Sequence, residues 1–151
     1  MMSDMIFEHL GHSRFDKERF NPIVNRDYWV KPGGGLWASP IDSAHGWREW
    51  VKVNEFRLDH YNKGSFKFKL KEDAKVFVVE NTKQLTDDLL VREENEFSKL
   101  LHMKLLDFEQ LAKEYDAMLV LISKDGCLYW DLYGWDCDSL LVFNPDVVEE
   151  L

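Results

Sequence analysis

Short apolar runs separated by turn signals dominate both ends of the chain, and a stretch of helical period lies between them. Residues 5–10 (MIFEHL) read as a first strand closing on a polar cluster. Residues 21–35 have little period and are rich in Asn, Pro and Gly, so an irregular connection is expected there. Residues 36–39 read as a short strand stopped by Pro40. Asp42 or Ser43 is then placed to cap a helix in which Trp47, Trp50, Val51 and Asn54 recur at helical spacing. An aromatic stripe of this kind is first of all core, so at least one of Trp47 and Trp50 is expected to be buried.

After a polar turn at residues 62–64, Phe66, Phe68 and Leu70 alternate with Lys67 and Lys69, the pattern of a half-buried strand. Residues 74–79 are hydrophobic and β-branched, and the Glu72–Asp73 turn before them predicts an antiparallel hairpin. From residue 82 to 115 the period becomes helical. Leu85, Leu89 and Leu90 fit a short helix, and Phe97, Leu100, Leu101, Leu105, Phe108, Leu111 and Ala112 lie largely on one stripe, with Asp107 placed to cap a final helix and Gln110 three residues on. Residues 117–122, 127–133 and 139–143 then read as strands, the last stopped by Asn144 and Pro145. Seven short strands interrupted twice by helices, in no repeating order, favour an α+β fold with two small, mainly antiparallel sheets over a doubly wound one.

At 151 residues and 45% hydrophobic, the chain fits a single domain, residues 1–151, with a substantial core. No run is long and apolar enough to cross a bilayer, and the opening segment lacks the features of a secretory signal, so a cytoplasmic protein is expected. The net charge of -9 argues against a main role in gripping phosphate backbones but leaves a small nucleotide open. It also suits an acidic interaction protein that steers a basic partner. Cys127 and Cys137 are too few and too poorly partnered for a zinc site, and both read as packing residues.

Two clusters carry candidate chemistry. The run K-P-G-G-G-L-W-A-S-P (31–40), followed closely by G-W-R-E-W, sets bare backbone beside aromatic bulk. That combination suits a flat, polar ligand that is stacked and hydrogen-bonded together. The turn G-W-D-C-D-S (134–139) places Asp136 and Asp138 two apart before an apolar strand, a pair able to bind a metal, exchange protons or stabilise a developing cation. His9 and His12 lie where the first strand ends, a position from which rigid elements present side chains to ligands, while His102 reads as structural or solvated. The glycine run is no phosphate loop, because no Lys-Ser or Lys-Thr follows it, and hydrolase and metalloprotease motifs are absent.

Three segments together resemble the ADP-ribosyltransferase fold family: F-E-H-L-G-H-S, then G-L-W-A-S-P with G-W-R-E-W, and the tail L-A-K-E-Y-D-A-M-L-V with D-C-D-S-L-L-V-F-N-P. The resemblance covers most of the chain in weak motifs. It implies a split β-sandwich with flanking helices, NAD in the cleft, and mono-ADP-ribosyl transfer to a macromolecule, a protein in preference to a nucleic acid. By the same resemblance His9, or else His12, holds the adenosine-side ribose, Ser39 beside Trp37 is the middle-strand serine, and Trp37, Trp47 or Trp50 stacks a ring of the dinucleotide. Where the family has a glutamate directly before the final apolar run, this chain has Ser139, with Asp138 one residue earlier and Asp136 three earlier. Either a bulge brings one aspartate to the ribose, or the site binds without transferring.

Overall fold

The structure, a computed structural model, describes residues 4–27, 30–85, 92–101, 105–132 and 134–151. Its strands are β1 (Phe7–Leu10), β2 (Leu36–Pro40), β3 (Ser65–Leu70), β4 (Val76–Val79), β5 (Ala117–Val120), β6 (Ser139–Val142) and β7 (Val148–Glu150). The helices are α1 (Trp47–Val53), α2 (Leu58–Tyr61), α3 (Glu96–Leu101), α4 (Phe108–Glu114) and α5 (Leu128–Asp131). The class is α+β. The strands form one open sheet in the order β4-β5-β6-β2-β1-β3-β7, antiparallel except for the β4–β5 pair. This corrects the expectation of two small sheets, and β2 is the reason. Leu36, Trp37 and Ala38 pair with β6, whereas Ser39 and Pro40 pair with β1, so one strand joins the two halves.

The core explains the apolar patterns. β5 and β6 are buried on both faces, with Met118, Val120 and Leu141 packing into one cluster and Ala117, Leu119, Leu140 and Val142 into the other. Two-sided burial is why these strands read as continuous apolar runs. In β3 only one face is covered: Phe66, Phe68 and Leu70 are buried, as alternation predicts. α4 lays Phe108 and Leu111 onto the Met118–Leu141 face, and the Asp107 carboxylate caps it by accepting the Gln110 amide at 3.1 Å.

Three other readings are corrected. β4 makes no hairpin with β3, because it runs parallel to β5 at the far edge of the sheet, where its valines meet a second apolar strand. The segment expected as a strand at 127–133 contains α5. Leu128 and Leu132 are both fully buried, and a spacing of four is one helical turn as readily as two strand repeats. Cys127, at its start, is exposed rather than packed, while Cys137 is buried. β7 was not foreseen; it follows a turn at Pro145–Val147 and pairs with β3. Leu89, Leu90 and His102 lie outside the described residues.

Candidate functional site

The β1–β2 ladder is short, running only through Phe7↔Pro40 and Glu8↔Ser39. Beyond it the strands separate and a cavity of about 620 Å³ opens, within the range that holds a small organic ligand. β1 contributes Glu8, His9 and Leu10 to its wall, and β2 contributes Trp37 and Ala38. Arg26, Lys31, Pro32 and Gly34 come from the connection before β2, and Trp47, Phe56, Arg57, His60 and Tyr61 from α1, α2 and the bend between them.

That bend is unusual backbone. Glu55 and Arg57 have φ of 49° and 45°, and these two left-handed residues reverse the chain so that α2 folds back beside α1. The result is an aromatic wall in which Trp47 meets Trp50 edge-on, Trp50 meets Phe56, and Tyr61 stacks against both Phe56 and Trp47. Neither Trp47 nor Trp50 is fully buried, contrary to expectation; Val51 alone of α1 enters the core. The Trp47 indole N–H is itself buried with no hydrogen-bond partner among the described residues. A buried donor left unmade is uncommon and asks for a reason.

His9 closes the gap where the ladder ends. Its Nδ1 lies 2.7 Å from the Trp37 carbonyl, which can only accept, so Nδ1 carries the proton and Nε2 accepts from His12 Nδ1 at 2.9 Å. Burial pushes the His9 imidazole down to about 4, against the Trp37 carbonyl, which pulls upward. The ring is therefore neutral at pH 7. His12 stacks on His9 and meets His60 edge-on.

The electrostatics of the cavity oppose those of the chain. Arg26, Lys31 and Arg57 line it, and among the described residues Glu8 is its one acidic lining residue. Glu8 is already engaged: Arg48 grips it through two hydrogen bonds of 2.9 and 2.8 Å, which also hold its carboxyl below the usual value. A chain of net charge -9 thus builds a basic, aromatic cavity.

Ser39 faces away from the cavity. Its hydroxyl donates to the Asp138 carbonyl at 2.8 Å and accepts the Trp47 amide at 2.8 Å, so it ties β2 to β6 and caps α1 in place of the expected Asp42 or Ser43. Gly46, not either of those residues, occupies the cap position. Asp138 is 3% exposed, and its carboxylate is surrounded: Oδ1 accepts the Ser123 amide, and Oδ2 accepts the hydroxyls of Ser43 and Ser123. Ser139 is fully buried and donates to the Cys137 carbonyl. Asp136 is half-buried beside Cys137 and Trp50 in a smaller hollow, and its charge acts on the Lys31 ammonium in the main cavity.

The structure therefore brings His9, Trp37 and Trp47 together in one wall, with His12 hydrogen-bonded behind His9. It places Ser39, Asp138 and Ser139 in the packing beneath, and Trp50 and Asp136 at the flank. Sequence reasoning missed Arg26, Phe56, Arg57, His60 and Tyr61 and gave Lys31 no role. The string F-R-L-D-H-Y (56–61) was the available signal, but nothing in its spacing reveals the reversal that folds it over the cavity. Among the described residues no group of three or more His, Cys, Asp or Glu is placed to hold a metal ion, and no helix is long and apolar enough to cross a membrane. No family model, curated protein or solved structure matches the chain.

Proposed function

We propose that the protein binds NAD in the cleft between β1 and β2 and is an ADP-ribosyltransferase-like enzyme acting on a macromolecular acceptor, a protein in preference to a nucleic acid. The observation that carries this reading is the inverted charge of the cavity. Three cationic side chains among aromatic walls, in an acidic chain, suit a ligand that combines phosphates with flat rings. The opening lies within the single sheet, where the β1–β2 ladder ends and His9 bridges to β2.

In the reaction the bond between the ribose C1′ and the pyridinium nitrogen breaks, and nicotinamide leaves with the electron pair. The acceptor's nucleophile then attacks C1′ and gives up its proton. A fixed carboxylate favours the oxocarbenium character that develops between the two events. Asp136 is the better placed of the two aspartates, because its field reaches Lys31 inside the cavity, whereas Asp138 has both oxygens occupied below it.

That occupied Asp138 carboxylate favours a second reading, in which the cleft binds the dinucleotide without transfer and the acidic exterior docks a basic partner protein. Calorimetric titration with NAD, together with nicotinamide release in the presence of cell extract, tests both. Binding with release that Asp136→Asn abolishes supports the enzyme. Binding without release supports the second reading. An absence of NAD binding at millimolar concentration overturns both.

A further inference from the structure

The Lys31 ammonium lies 4.3 Å from the centre of the Trp47 ring and 5.4 Å from that of Trp37. Two indoles around one positive charge make an aromatic box, because the negative faces of the rings attract a cation. The position has a cost as well. Burial disfavours the Lys31 charge, and the nearby Asp136 carboxylate works in the opposite direction. An ammonium is compact and strongly hydrated, so it loses more on leaving water than a cation whose charge is spread over a ring.

The box is thus better suited to a delocalised cation than to the group now in it. Lys31 also has somewhere to go, since its stem is flexible and Arg26 and Arg57, the exposed cations of the same cavity, mark the region where an anionic part of a ligand would sit. The buried Trp47 indole N–H, without a partner among the described residues, is a separate feature of this wall: it can donate to an acceptor group carried beside a ligand's ring.

We propose that Trp37 and Trp47 form a binding box for a flat organic cation, and that Lys31 is its resident occupant, displaced when the ligand enters. The ligand class is an N-alkylated heteroaromatic ring. The pyridinium end of oxidised NAD is one such ring and its neutral dihydro form is not, so the box selects the oxidised dinucleotide; this last step rests on the function proposed above, and the box itself does not. Asp136 then acts on the ligand's ring charge in place of the lysine's.

Heteronuclear NMR of the indole N–H signals of Trp37 and Trp47, during titration with 1-methylnicotinamide and with its neutral counterpart nicotinamide, tests the box directly. The cation is expected to bind about tenfold more tightly than the neutral ring, the size of a partly desolvated cation–π contact. Lys31→Met and Lys31→Ala, which remove the competitor, should each tighten the cation several-fold and change the neutral ring less. Equal affinity for the two rings, weaker cation binding in both variants, or no response to either ring at millimolar concentration overturns the proposal. ADP-ribose separates the two inferences. If it binds while the box shows no preference for charge, the box fails and the dinucleotide reading stands. If 1-methylnicotinamide binds as expected while ADP-ribose and NAD do not, the reverse holds.

Discussion

The His9 imidazole stands where a backbone amide would stand if the β1–β2 ladder continued, 2.7 Å from the Trp37 carbonyl. A side chain thereby satisfies a carbonyl that the widening cleft leaves without a strand partner. One histidine closes the sheet and lines the cavity that the opening creates.

This arrangement makes stability depend on pH. Folded His9 has its pKa depressed from 6.5 to about 4, so between those values the unfolded chain binds a proton that the folded chain does not. The contribution is fully present above pH 6.5 and is lost as pH falls toward 4, by on the order of 3 kcal/mol in total. Urea unfolding at pH 7, 6 and 5 should show stability falling with pH, and His9→Gln should flatten that slope. An unchanged slope in the variant would show that the fall comes from other groups.

The glycine run serves packing more than ligand approach. A Cβ on Gly34 would lie 2.0 Å from the Pro22 carbonyl oxygen, and its φ of 80° is already unfavourable for other residues. Gly34→Ala should therefore cost about 3 kcal/mol or more, since both strain and a backbone clash must be relieved. Gly126→Ala is the control: nothing lies within 4 Å of its added Cβ, and thermal unfolding should barely change.

The two cysteines should separate cleanly in a thiol-labelling experiment. Cys127 is exposed, whereas Cys137 is 3% exposed and burial pushes its thiol up to about 12. At pH 8 only about one Cys137 in ten thousand would be thiolate even if reagent reached it. A disulfide reagent should titrate one thiol in the folded protein and the second only on unfolding, and fast reaction of both would contradict the burial of Cys137.

Elements with a single strong period were legible in the sequence. β3 alternates over six residues with its lysines outward, and Asp107 caps α4 as its position suggested. What was hidden depends on distant partners. β4 reads like one arm of a hairpin because nothing local distinguishes a β-branched strand bound for β3 from one bound for β5. Leu128 and Leu132 satisfy two periods at once, and the core beneath α5 decides between them. At the site, His9, Trp37 and Trp47 were recognisable, yet the basic half of the cavity was not. Arg26 and Arg57 are thirty-one positions apart and meet only because residues 55–57 reverse the chain.

Asp138 offers the sharpest distinction between holding the fold and doing chemistry. Three hydrogen bonds reach its carboxylate, two from Ser123 and one from Ser43, and its own carbonyl accepts from Ser39. Asp138→Ala would leave a part-buried amide and two part-buried hydroxyls without their acceptor, at a cost on the order of 1–2 kcal/mol because water can reach the exposed Ser123. Asp138→Asn keeps an acceptor for the amide, and the serine hydroxyls can rotate to suit, so a loss of about 1 kcal/mol is expected. If Asp138 acts only as a clamp, the asparagine variant retains ligand affinity and whatever turnover the wild type has, while Asp136→Asn loses turnover without losing stability. A stable Asp138→Asn protein that binds NAD normally but no longer releases nicotinamide would instead assign the chemistry to Asp138. It would also require the clamp to open during the reaction, because the cavity as built gives that carboxylate no free oxygen to offer.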